Sequence, residues 1–159
     1  MYSSTPHSWL NLPKPARERV LCVDDDVKVV LTAQRILAGR YDVSAVVGGT
    51  AGLETVRTAQ SPFAAIVADI RMPDLSGIAL LQCVRRIAPM TMRVLLTAYP
   101  DRDSVAAAAE HCDVYRVLAK PCHPDLLVST VEGAVRRHCE LRAAAGDESA
   151  VSDWDGARD

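Results

Sequence analysis

Short apolar runs of β-branched character alternate along this chain with longer stretches of helical period, the pattern of βα units built on a parallel sheet. The first run, "RVLCV" at 19–23, precedes a helix predicted over Val27 to Leu37, with Gly39 as its C′ residue. "YDVSAV" at 41–46 alternates as a half-exposed strand does, which marks it as an edge, and a weak helix follows over Ala51 to Thr58 with Thr50 as N-cap. "FAAIVADI" is apolar up to Asp69 and reads as a central strand covered on both faces. Gly77 opens a helix carrying Leu80, Leu81 and Val84, and "MRVLLTA" makes the fourth strand. "DRDSVAAAAEH" is a helix capped by Asp101 or Asp103, and "VYRVLA" is the fifth strand. Pro124 then suits position N1 of a last helix over 124–143, with Leu127, Val131, Ala134 and Val135 on one side.

Composition narrows what such a sheet serves. An apolar fraction of 49% with 24% charged residues belongs to a folded soluble domain, and 159 residues leave room for one such domain with tails. The expected division is a flexible leader over 1–17, the domain over 18–143, and a disordered tail or linker start over 144–159. A net charge of −2 with a single Phe supplies no basic stripe interleaved with aromatics, which argues against nucleic-acid binding by this chain. The five cysteines form no CxxC pair, no export signal opens the chain, and no apolar run approaches the ~20 residues of a membrane span. A cytoplasmic protein is expected.

Ligands of open parallel sheets bind beyond the carboxyl ends of the strands, so those ends carry the chemistry. The first strand ends in Asp24, Asp25 and Asp26, the third in Asp69, the fourth in Thr97, and the fifth in Lys120 followed by Pro121. Singly, each has an ordinary reading: a solvated loop or cap for the aspartates, a turn former for Asp69, a β-former for Thr97, a surface lysine for Lys120. Together they place carboxylates, a hydroxyl and an ammonium on one rim. Carboxylates from two strand ends suit Mg²⁺, which completes its octahedron with waters and a phosphate oxygen. A carboxylate can itself attack phosphorus to give an aspartyl phosphate, with cation and ammonium neutralising the transferring group. Asp69, ending the central strand, is the expected nucleophile, and Asp24 and Asp25 are kept for metal.

"VLCVDDD", "VADIRMPDLSG", "LLTAY" and "LAKP", in this order and spacing, resemble the receiver domain of response regulators of bacterial two-component systems over about Arg17 to Arg142. The resemblance implies a flavodoxin-like (βα)5 fold, strand order 2-1-3-4-5. It makes Asp69 the phospho-acceptor, with Asp24, Asp25, Asp69 and the backbone carbonyl of Arg71 around Mg²⁺. Thr97 becomes the hydroxyl that moves toward the phosphoryl group, Lys120 its ion-pair partner, and the bond before Pro121 a candidate cis peptide. It further implies a histidine kinase or phosphotransfer protein as donor, and the fourth helix, fifth strand and fifth helix as a surface for a partner or homodimer. One position departs from the family: the aromatic switch residue three places before the lysine is Val117 here. Tyr115 is expected on the same strand face, about 6–7 Å away, as a partly buried strand residue. Arg71 and Tyr99 occupy rim positions from which they would shield an acyl phosphate.

Other candidates carry less. His111 and His123 lie at opposite ends of a strand about 17–20 Å long, which speaks against a zinc site built from them, His7 or His138. The cysteines on the first strand and the helices read as small buried apolar groups, and Cys122, nearest the rim, is not expected to serve in redox chemistry. The protein is thus expected to do chemistry only on itself. Two alternatives from other classes stand beside this: a Mg²⁺-dependent aspartyl-phosphate phosphatase of haloacid dehalogenase type, for which "DDD" formally satisfies DxD without any visible cap insertion, and a receiver-shaped scaffold that is never phosphorylated. With no output domain legible after residue 143, action through a partner or itself is expected unless the chain is a fragment. In that case "VYRVLAKP" resembles receivers attached to HD-type phosphodiesterase or kinase outputs.

Overall fold

The computed structural model describes residues 16–152, with side chains through residue 146. Strands and helices alternate: β1 (Arg19–Asp24), α1 (Val27–Leu37), β2 (Asp42–Val47), α2 (Gly49–Thr58), β3 (Ala65–Asp69), α3 (Gly77–Ile87), β4 (Met92–Thr97), α4 (Arg102–Cys112), β5 (Arg116–Ala119) and α5 (Pro124–Ser152). The strands form one parallel sheet in the order β2-β1-β3-β4-β5, the doubly wound order expected. β2 is an edge, as its alternation required, and β1, β3 and β4 lie inside the sheet.

Period 2 along the strands divides the core. Val20 and Cys22 of β1, Ala65 and Val67 of β3, and Val94 and Leu96 of β4 pack with Leu37 of α1 and with Leu127, Val131 and Ala134 of α5. The alternate residues Leu21, Val23, Ile66, Ala68 and Leu95 pack against Leu80, Leu81 and Val84 of α3 and against Ala108 and Cys112 of α4. Each fully buried Leu or Ile contributes roughly 1.5–3 kcal/mol against exposure, so the two apolar layers fix the strand register that aligns the strand ends.

Local capping follows the sequence in three helices. Asp26 caps α1 by accepting from Lys28 N–H, Ser76 caps α3 through Ala79 N–H, and Asp101, of the two candidates, caps α4 through Ser104 N–H. One capping expectation requires correction. Thr50 is not the cap of α2: the helix begins at Gly49, and Gly48, at φ 95°, occupies the cap position. The cap is supplied from outside, by Asp74, whose carboxylate accepts from Gly49 N–H at 3.2 Å and Thr50 N–H at 3.0 Å. Gly39 stands at C′ of α1, one residue past the Ala38 cap, as expected, and does so without a left-handed conformation: Ala38 N–H closes the last turn on Gln34 and Tyr41 N–H bonds Leu37.

Tyr115 also departs from its expected place. β5 begins only at Arg116, after a left-handed turn at Asp113 (φ 48°), so period 2 does not govern Tyr115. Its ring is half exposed and its hydroxyl lies against Gly133 of α5, where any Cβ would collide with it. Val117, with Val114, packs on the α3 and α4 side. The helix predicted over 124–143 runs on to Ser152, since Ala143, Ala144 and Ala145 are strong helix formers and no proline stops them. The first fifteen residues of the expected leader lie outside the described residues. Among the described residues, no helix is long and apolar enough to cross a membrane.

Candidate functional site

The strand order reverses between β1 and β3, and that crevice opens at the carboxyl ends of both strands. Asp24, the last residue of β1, is 2% exposed, and Asp69, the last of β3, is 7% exposed. Their carboxylates and that of Asp25 bring oxygens within 4.8 Å of one another. Lys120, just beyond β5, reaches across two strands: its Nζ stands 2.6 Å from Asp24 Oδ2 and 3.3 Å from Asp69 Oδ1. The other oxygen of Asp24 accepts from Asp26 N–H at 2.9 Å, so this carboxylate is held from both sides. Asp26 itself points away to cap α1 and takes no part in the cluster.

Thr97 ends β4 beside Asp69, whose register partner is Leu96, and its carbonyl accepts from Lys120 N–H at 2.7 Å. Its buried hydroxyl oxygen accepts from Tyr99 N–H at 3.1 Å, which leaves the hydroxyl proton available for another acceptor. The peptide between Lys120 and Pro121 is cis. Arg71, in the loop after β3, lays its guanidinium over the Tyr99 ring, 4.8 Å from the centroid, so the two rim residues form a stacked pair.

The electrostatics are those of crowded carboxylates. Burial, and then the neighbouring charge of Asp24, push Asp69 above the ordinary carboxylate range, with Lys120 pulling in the opposite direction. Asp25 is raised as well, first by its hydrogen bond with Asp24, then by burial and by that residue's charge. Burial alone would lower Lys120, but its hydrogen bonds and ion pairs with Asp24 and Asp69 outweigh this and raise it. Three carboxylates against one ammonium leave an excess of negative charge in a low-dielectric crevice. That donor set, hard oxygens from two strand ends, fits a divalent cation such as Mg²⁺.

The family pattern of the response regulator receiver domain matches residues 20–132. The chain belongs to this family. As a receiver it is similar to the hydrogenase transcriptional regulatory protein HoxA of Bradyrhizobium diazoefficiens, with 32% identity over 84% of this chain and 28% of HoxA. It is also 30% identical to the DNA-binding transcriptional regulator NtrC of Escherichia coli, over 76% of this chain and 25% of NtrC. The receiver thus spans about a quarter of the length of these curated relatives. Among solved structures, one described as the adenylate cyclase from Rhodopirellula baltica superposes with a TM-score of 0.78 at 26% identity, covering 84% of this chain and 98% of that one. The signal receiver domain of an HD domain-containing protein from Pseudomonas fluorescens superposes at 0.73 with 24% identity, over 78% of this chain and 98% of that one, and shows the shared fold.

Of the residues singled out from the sequence, Asp24, Asp25, Asp69 and Lys120 converge within contact, and Thr97 and Arg71 stand on the same rim. Among the described residues the only cluster able to hold a metal is the aspartate one. His111 lies in the last turn of α4, His123 precedes α5 and His138 is buried in α5 on the Met90 carbonyl, while His7 lies outside the described residues. Cys22 and Cys112 are buried as expected, but Cys83 is only half-buried and Cys139 is exposed. Burial pushes the Cys122 thiol up, which disfavours the thiolate that redox chemistry needs. Asp74 is singled out by nothing in the sequence. Its hydrogen-bonding partners lie 24 and 25 residues upstream, beyond any local pattern.

Proposed function

We propose that this receiver is switched by phosphorylation of Asp69, the donor being a phosphohistidine on a partner kinase or phosphotransfer protein. The observation that carries the reading is the convergence of Asp69 with Asp24, Asp25 and Lys120 at the crevice of the sheet. A carboxylate oxygen of Asp69 attacks phosphorus, the bond from phosphorus to the imidazole nitrogen breaks, and the imidazole leaves with the bonding pair. Asp24, Asp25, Asp69 and the Arg71 carbonyl would hold Mg²⁺, which when bound neutralises charge on the phosphoryl oxygens. Lys120 is placed to shift from the Asp69 carboxylate to a phosphoryl oxygen, and Thr97 has a free hydroxyl proton to donate to another.

The readout passes to a partner through the surface of α4, β5 and α5, or to a second copy of the chain on that face. A fused output is an equal destination, because the relatives named above are transcriptional regulators about four times as long as the matched segment. Cytoplasmic placement follows from the kinase partner. Val117 in the usual aromatic position removes the ring that would follow Thr97, so rearrangement of Thr97 is read by a smaller aliphatic contact.

Steady turnover separates this function from a phosphatase. Incubated with Mg²⁺ and a small aryl phosphate, the protein is expected to release phenol, after a first equivalent, no faster than its own acyl phosphate hydrolyses, whereas turnover far faster than that decay would move the assignment to a phosphomonoesterase. The Arg71–Tyr99 stack yields a second expectation. Arg71→Ala and Tyr99→Ala should each accept phosphoryl groups as the wild type does but lose the adduct several-fold faster after the donor is removed, as followed by intact mass against time. Unchanged decay would reduce the pair to a solvated surface contact.

A further inference from the structure

The loop from Asp69 to Gly77 carries both Asp69 and Arg71, so its placement governs how the cation's oxygen donors sit relative to one another. The loop is closed on itself by Gly77 N–H donating to the Ile70 carbonyl at 2.8 Å. It is also tied to another element altogether. Asp74 projects from it to the N-terminus of α2 and accepts from both Gly49 and Thr50 N–H, one with each oxygen. The amide and hydroxyl of Thr50 foremost, and the Gly49 amide after them, hold the Asp74 carboxyl down at a pKa of about 2. A second observation shows how close the two backbones come: Gly49 packs against the Leu75 carbonyl so tightly that a Cβ on it would overlap that oxygen. α2 in turn follows directly on Gly48, whose N–H donates to the Asp24 carbonyl at 3.0 Å. A closed path therefore runs from Asp24 through Gly48, Gly49 and Asp74 back along the loop to Asp69.

We propose that Asp74 is a positioning residue for the cation site: by capping α2 from outside, it fixes the loop after β3 so that the Arg71 carbonyl stays in register with the carboxylates of Asp24, Asp25 and Asp69. The inference rests on the cation-binding part of the function proposed above and adds a residue to it. Because coupling free energies are reciprocal, it has two faces. Loss of the clamp weakens the cation, and the cation tightens the clamp.

Both are measurable on the full chain. Titrated with Mn²⁺, Asp74→Ala should bind roughly tenfold more weakly than the wild type, the scale of effect seen when a residue that orients metal ligands is removed. Asp74→Asn, which keeps one of the two acceptor oxygens, should recover part of the loss. Asp101→Ala removes a cap of the same kind from α4, and it should lower the melting temperature comparably while leaving Mn²⁺ affinity unchanged. In the wild type, adding Mg²⁺ should slow hydrogen exchange at the Gly49 and Thr50 amides, and in Asp74→Ala this protection should vanish. Equal Mn²⁺ affinity in the wild type and Asp74→Ala, or a loss no larger than that of Asp101→Ala, overturns the proposal, as does exchange at Gly49 and Thr50 that ignores Mg²⁺. If the wild type binds Mn²⁺ and forms the acyl phosphate while Asp74→Ala matches it, this inference alone falls. If the wild type binds no divalent cation, the functional reading falls with it.

Discussion

Lys120→Ala is expected to cost about 3 kcal/mol of folding stability in the absence of divalent cations, lowering the melting temperature by roughly 10 °C. The cause is what remains behind. Asp24 is 2% exposed and loses the ammonium 2.6 Å from its Oδ2, and Asp69 loses the same partner at 3.3 Å. Two crowded carboxylates are then left buried without a counter-charge, which costs more than the lost attraction alone. The folded-state pKa of Lys120 is raised, so its contribution is fully present below the unfolded value near pH 10.4 and disappears as pH rises through the folded one. The gap between wild type and variant should therefore be widest at neutral pH and narrow in strong alkali. Mg²⁺ should restore part of the loss by supplying positive charge to the same oxygens. Thermal melts with and without Mg²⁺ decide the matter, and a variant as stable as the wild type in chelator would show that the ammonium is not the counter-ion of this site.

Asp69→Asn is expected to act in the opposite direction, gaining about 1 kcal/mol in chelator while abolishing phosphoryl acceptance. Burial and the Asp24 charge raise the pKa of Asp69, which means its ionised form is unfavourable in the folded protein. The amide removes that charge, and Lys120 keeps its shorter contact with Asp24. A carboxylate raised in the folded state costs stability above its folded pKa, and the cost is relieved as pH falls through that value toward the unfolded one near 3.9. The advantage of the asparagine variant should hence shrink as the wild type becomes protonated on acidification. Cation affinity of the wild type should fall over the same range, at higher pH than for ordinary carboxylates, because Asp25 is raised too. A less stable Asp69→Asn protein would mean that the ion pair with Lys120 outweighs the crowding. The expected destabilisation at Asp69 is measurable without any phosphate donor.

The sequence made this site legible to an unusual degree because a parallel sheet with short connections converts linear position into spatial position. Asp24, Asp69, Thr97 and Lys120 each stand at the end of an apolar run, and register between parallel strands brings those ends to one rim. Strand periodicity was equally informative for β1, β3 and β4, whose alternate residues separate cleanly into the two apolar layers. What escaped notice depends on contacts made between distant segments or at strand margins. Thr50 looked like a cap because the true one, Asp74, arrives from another loop. Tyr115 has the period-2 spacing of a strand residue, yet it precedes the strand and turns toward Gly133, a glycine whose role is visible only once α5 is packed. The last helix outran its expected end because nothing in "AAAGDESAVS" halts a helix already begun, although its polarity resembles that of a tail.

The most direct test of the account is the intact mass of the wild type and of Asp69→Ala after incubation with acetyl phosphate, in Mg²⁺ and in chelator. A single phosphoryl adduct, present on the wild type with Mg²⁺ and absent from the variant and from the chelated sample, is the predicted result. No adduct on the wild type, with beryllofluoride also failing to bind, would contradict it and leave a receiver fold that acts as a scaffold. An adduct retained by Asp69→Ala would contradict it differently, by placing the reactive carboxylate elsewhere on the rim.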